Sequence, residues 1–174
     1  MSAIPDGLVL ARHRDGKHRS QRPWARWALL AVVLVLPVLA LANVFGQRPH
    51  TAVALGRRAS LEVEAPTRVR GGLLWQARVN IRAHEVLRQA RLVLSSGWLE
   101  SMQTNTLEPA PTDETSTNGS PAFTLGQIAE GQKFVFYMQF QVNPTNVGRR
   151  AQTLELYDGA IRVLRLERTI TVFP

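Results

Sequence analysis

The nine residues FVFYMQFQV put Phe134, Phe136, Met138, Phe140 and Val142 in one phase and Val135, Tyr137, Gln139 and Gln141 in the other. Wound as a helix, these five large apolar side chains would fall on two opposite sides. In a strand they share one face, because successive residues point to opposite sides. A chain holding such a segment must supply a second layer to cover that face.

The remainder of the chain supplies candidates for it with the same period. Leu61 and Val63 alternate with Glu62 and Glu64, and Trp75, Ala77, Val79, Ile81 and Ala83 alternate with Gln76, Arg78, Asn80 and Arg82. Shorter signals follow around Leu92 to Leu94, in AFTLGQIAEGQ, and at Leu154 and Leu156. Asp158-Gly159 is a hairpin signal, and the last segment, AIRVLRLERTITVF, changes phase between Val163 and Leu164, which predicts a β-bulge there. The polar stretch from Glu100 to Pro121 reads as a long loop, interrupted at most by a short edge strand near Met102 to Leu107. About seven strands and no convincing helix over residues 60–174 predict an all-β, immunoglobulin-like Greek-key β-sandwich.

The succession FTLGQIAEGQ, an alternating strand, a loop with Gly148, then LELYDG and a final alternating strand resembles the bacterial cell-adhesion-related (CARDB-like) immunoglobulin-type domains. The resemblance implies a role in surface display, spacing or assembly, and brings no catalytic residues. With no cysteine and no clear tyrosine corner, the domain departs from the antibody type.

One segment escapes period two. From Trp27 to Ala42 no polar side chain occurs, and residues 24–46 have the length and character of a single transmembrane helix. Trp24 and Trp27 stand where an interfacial aromatic belt would lie, Pro37 is tolerable in lipid, and Phe45 closes the segment. Six basic residues precede or open it, Arg12, Arg14, Lys17, Arg19, Arg22 and Arg26, against Asp6 and Asp15. That bias predicts a single pass through a bacterial cytoplasmic membrane with the N-terminus in the cytoplasm and the domain outside, with residues 1–23 a disordered basic tail and 47–59 a linker. A cleavable signal peptide is the rival reading, with Ala40-Leu41-Ala42 as the cleavage site and a secreted product. Either way the same domain is exported.

The formal net charge of +8 is therefore no sign of nucleic-acid binding. It belongs to the flanks of the apolar segment; residues 59–174 hold twelve basic and eleven acidic side chains.

Sites of chemistry are sparse. His84 stands beside Glu85 and His50 in the linker, neither in a triad or ligand spacing. Glu108, Asp113, Glu114 and Asn118 lack the spacing of a dedicated calcium loop. No enzyme, cofactor, metal or small-molecule substrate is expected. The expected partner is an integral membrane or envelope protein, and the expected function is a membrane-anchored accessory interaction module. A module for cell-wall glycan or another surface polymer is the alternative, with Tyr137, Tyr157 and Trp98 as stacking aromatics. Candidate contact residues are Tyr137 and Gln139 on the outward strand face, and Asn143, Asn146, Arg149 and Arg150 at the loop after it. That loop is either a plain strand connection or a recognition loop whose two arginines offer paired cations.

Overall fold

The computed structural model describes residues 23–42, 47–117 and 119–174. They form two compact units, divided after Phe45, of which the first holds one helix, α1 (Pro23–Leu41). Within it, Trp24–Leu41 is long and apolar enough to cross a membrane, with Pro37 inside. The basic tail of residues 1–22, with Arg12, Arg14, Lys17, Arg19 and Arg22, lies outside the described residues, as do Phe45 and Asn118. Trp24, Trp27 and Arg26 are on α1.

The second unit is a sandwich of two sheets. One runs in the order β1 (Pro49–Leu55), β2 (Ala59–Pro66), β4 (Leu74–Ala83), β9 (Lys133–Val142), β6 (Met102–Glu108). The other runs β3 (Arg68–Arg70), β11 (Ile161–Phe173), β10 (Gly148–Asp158), β5 (Leu87–Leu94), β8 (Ser120–Ile128), β7 (Asp113–Thr117). Every described pairing is antiparallel except β3 with β11, which is parallel.

The alternating residues fall as their period requires. Phe136, Met138, Phe140 and Val142 on β9 are buried beside Trp75, Ala77, Val79 and Ile81 on β4, and Leu92, Leu154, Leu156 and Ile170 cover them from the other sheet. Aromatic rings fill one part of the interior: Trp75 stacks on Phe140 at 4.7 Å between centroids, and Trp98 lies 5.9 Å from Trp75 and 5.7 Å from Phe140. Phe123 on β8 meets Phe136 on β9 at 5.8 Å, joining the sheets. Each such side chain contributes on the order of 2–3 kcal/mol by burial.

The predicted bulge is present. Leu156 pairs with Leu164 and Tyr157 with Arg162, so Val163 is the extra residue. The predicted hairpin sits one residue later than Asp158-Gly159. Asp158 pairs with Ile161, and Gly159, at φ +61°, is the first central residue of the turn.

Eleven strands stand among the described residues where about seven were expected. The four beyond those seven are the edge strands of the two sheets: β6, where a short edge strand was allowed for near Met102 to Leu107, and β1, β3 and β7, which were not expected. Two segment readings change accordingly. Residues 47–59 are no plain linker, because β1 pairs along its whole length with β2, from Pro49 opposite Pro66 to Leu55 opposite Ser60, so the sandwich starts near residue 49. The polar stretch from 100 to 121 is no open loop either: β6 is bound to β9 and β7 to β8, on different sheets.

Candidate interaction surfaces

The loop from Asn143 to Gly148 is a built corner. Asn143 Oδ1 accepts hydrogen bonds from the Thr145 amide (3.1 Å) and hydroxyl (2.9 Å), and the Asn146 amide donates to Asn143 O at 2.9 Å. Pro144 packs against the turn between β3 and β4, where a Cβ on Gly71 would lie 2.8 Å from Pro144 O. On its other side the loop is held by Asn146, whose Nδ2 donates to the carbonyls of Glu100 (3.4 Å) and Ser101 (3.2 Å). Asn146 is only 4% exposed, so it secures the corner and presents nothing to a partner.

Arg149 and Arg150 do not act as a pair of cations. They are neighbours on β10 and therefore point to opposite sides of the sheet. Arg149 is exposed, whereas Arg150 shares the inward phase of Gln152, has a side chain 14% exposed, and faces Glu100 at 3.6 Å.

Tyr137 and Gln139 do lie on the outward face of β9, flanked by β4 and β6. The Arg78 guanidinium stands 5.8 Å from the centre of the Tyr137 ring and 3.9 Å from Glu64. Gln76, Glu108, Pro109, Val135 and Tyr137 line a shallow hollow of about 440 Å³.

Trp98, a candidate for stacking on sugars, is fully buried. It is placed by a single 3-10 turn, Ser96–Trp98, and its indole N–H donates to Thr153 O at 3.2 Å. Tyr157 is half-buried on β10, with its hydroxyl donating to Glu155 at 2.8 Å and Arg91 5.4 Å from its ring. Tyr137 and Tyr157 thus belong to different sheets and turn away from each other.

Two polar clusters were invisible to pattern reading. Arg58, in the β1–β2 turn, donates to Asp158 at 2.5 Å and to Glu85 at 3.2 Å. Arg168 takes the inward phase of β11, between Leu166 and Ile170, with no carboxylate within salt-bridge distance among the described residues. Its Nη2 donates to the carbonyls of Ala65 and Pro66, and the guanidinium lies 5.6 Å from the Trp98 ring centre. Burial pushes its pKa down to about 10, which leaves it charged at neutral pH. Opposite it, Gln152 is fully buried, its Nε2 reaching Gly97 O at 3.5 Å.

Among the described residues no group of three or more His, Cys, Asp or Glu is placed to hold a metal ion. Glu108 lies on β6 and Asp113 and Glu114 on β7, in different sheets. His84 is exposed, its Nδ1 3.3 Å from Arg57 O, and His50 is on β1.

No protein-family model matches the chain, and no curated protein matches it. Several solved structures are remotely similar to it. A CARDB domain from Pyrococcus furiosus is 11% identical, at a TM-score of 0.42, covering 72% of this chain and 96% of that one. The Clostridium acetobutylicum protein CaCohA2 is 15% identical, at 0.46, covering 67% and 92%. The soluble domain of PmoD from Methylocystis is 9% identical, at 0.31, covering 70% and 97%.

Proposed function

We infer that this protein is a non-catalytic accessory module of the CARDB-like kind, anchored by α1 in the cytoplasmic membrane of a bacterium and contacting an integral membrane or envelope protein outside it. The observation that carries this reading is the order of the chain: an apolar helix of spanning length, then four residues, 43–46, outside the described set, then a closed sandwich whose polar residues serve its own corners and sheet faces. The outward face of β9 around Tyr137 and Gln139 is the contact surface this reading favours, because it is a shallow hollow open to a protein partner. The surface-polymer alternative needs an exposed aromatic platform. It is disfavoured by the burial of Trp75 and Trp98 and by the opposed directions of Tyr137 and Tyr157.

Purification of the full chain from native membranes in mild detergent, followed by mass spectrometry, tests the reading. A stoichiometric membrane-protein partner, lost on replacing Tyr137 and Gln139 with Ala and Glu, supports it. A lone protein beginning at Asn43 would overturn the anchor and move the weight to a secreted module.

A further inference from the structure

The two ends of the sandwich are chemically different, and the difference lies in what the chain does there. At one end the backbone is closely tied. The Gly71 amide donates to Phe173 O at 2.7 Å, Gly72 to Val142 O at 3.0 Å, and Val142 to Leu73 O at 3.1 Å. Gln47, the first described residue of the sandwich unit, donates through Nε2 to Leu74 O at 3.3 Å. The chain therefore enters the sandwich beside Leu74. From Ala42 to Gln47 are five peptide steps, a reach of at most about 18 Å whatever their conformation.

This same end exposes large apolar side chains that no packing requirement explains. Leu73 is 48% exposed, Leu74 49%, Phe173 46% and, on the adjoining loop, Val147 53%. Around them stand Arg68, Arg70 and Arg149, none with an Asp or Glu side chain within salt-bridge distance among the described residues. Arg70 Nε donates to Pro174 O at 3.0 Å. The far end also exposes apolar residues, Leu55, Val86 and Ile161; there Arg57 and Arg58 are engaged by Glu85 and Asp158, whereas Arg82 and Lys133 have no Asp or Glu within salt-bridge distance among the described residues, so it is the entry of the chain beside Leu74 that sets the near end apart.

Apolar side chains flanked by arginines that no Asp or Glu neutralises match the boundary layer of a bilayer, where Leu and Phe enter the acyl edge and guanidinium groups bind phosphates. We propose that the Leu73, Leu74, Val147 and Phe173 end of the sandwich rests in the headgroup layer of the bilayer that holds α1, with Arg68, Arg70 and Arg149 on lipid phosphates. The inference rests on the anchored reading above. The short tether keeps this end near the bilayer surface, and docking would fix the orientation in which the outward face of β9 is offered to a partner.

The absence of cysteine makes the test direct. Single-cysteine variants of the full chain, L73C, V147C, F173C, I161C and V33C, are spin-labelled and placed one copy per nanodisc, with and without anionic lipid. Collision rates are then measured with oxygen, which favours lipid, and a nickel chelate, which favours water. Labels at 73, 147 and 173 should favour oxygen over nickel, more strongly with anionic lipid, while 161 favours nickel. Replacing Arg68, Arg70 and Arg149 together with Gln should abolish the anionic-lipid increment. Labels at 73 and 147 as aqueous as at 161, with 33 in lipid, overturn the docking and leave the anchor standing. Labels shielded from both reagents mean a protein contact and also overturn it. A label at 33 that favours nickel removes the anchor, and the inference falls with it.

Discussion

Arg58 and Asp158 meet at 2.5 Å across a hundred positions of sequence, joining the β1–β2 turn of one sheet to the end of β10 in the other. Asp158 also accepts the Gln89 amide at 2.9 Å, so one carboxylate ties three segments at the far end of the sandwich.

That arrangement makes stability acid-sensitive. The Asp158 carboxyl is held below its ordinary value first by the Gln89 amide and then by Arg58, with burial acting the other way. The folded state thus takes up a proton less readily than the unfolded chain. The stabilisation is complete above about pH 4, the unfolded value, and is lost as pH falls through the lower folded one. Asp158→Asn should lower the thermal midpoint at pH 7, and the gap to the parent should shrink at pH 3. A gap that is constant from pH 7 to pH 3 would show that the carboxylate plays no such part.

Gly97 is required by close approach. A Cβ there would lie 2.0 Å from Ala151 O, which is backbone and cannot turn aside. Gly97→Ala should cost about 1–3 kcal/mol by displacing the turn that carries Trp98 from β10. Urea unfolding of the full chain in detergent, followed by tryptophan fluorescence, measures the loss.

Arg168 should show that a buried charge is poor cement. Arg168→Ala removes donors from the carbonyls of Ala65 and Pro66 and uncovers the Trp98 ring, a loss of about 2–3 kcal/mol. Arg168→Met refills the space without a charge to desolvate, and should recover at least about 1 kcal/mol of that. If Met proves no better than Ala by urea midpoint, the hydrogen bonds and not the packing hold this part of the core.

The interior strands were legible because burial on one face imposes a strict period. β2, β4, β9, β10 and β11 each carry it, and even the bulge at Val163 could be read as a change of phase. Of the edge strands only β6 was foreseen; β1, β3 and β7 were not. β1 exposes Val53 and Leu55, and β7 is Asp-Glu-Thr-Ser-Thr, so neither bears a one-sided apolar pattern; they are strands because a neighbour binds their backbone. Trp98 was misplaced for a related reason. It follows Ser95-Ser96-Gly97, a turn signal that suggests exposure, while its burial depends on Ala151 and Thr153, more than fifty residues on. The inward arginine was hidden by its own charge. At the loop after β9 the turn chemistry of Asn143 and Pro144 was readable, but the role of Asn146 was not, since its partners, Glu100 and Ser101, lie far back in the chain.

The parallel pairing of β3 with β11 has a consequence for the timing of assembly. Arg68 lies opposite Thr171 and Arg70 opposite Phe173, so β3 has no partner until more than a hundred further residues have been made. β11 in turn separates β3 from β10. A chain emerging residue by residue can form the β1–β2 and β2–β4 pairs early, and later the β10–β5–β8–β7 part of the second sheet, yet β3 stays apart from that part until the last strand threads between β3 and β10. During that interval the part of the interior that Leu166, Ile170 and Val172 of β11 will cover stands open, and the growing chain depends on whatever holds it in solution.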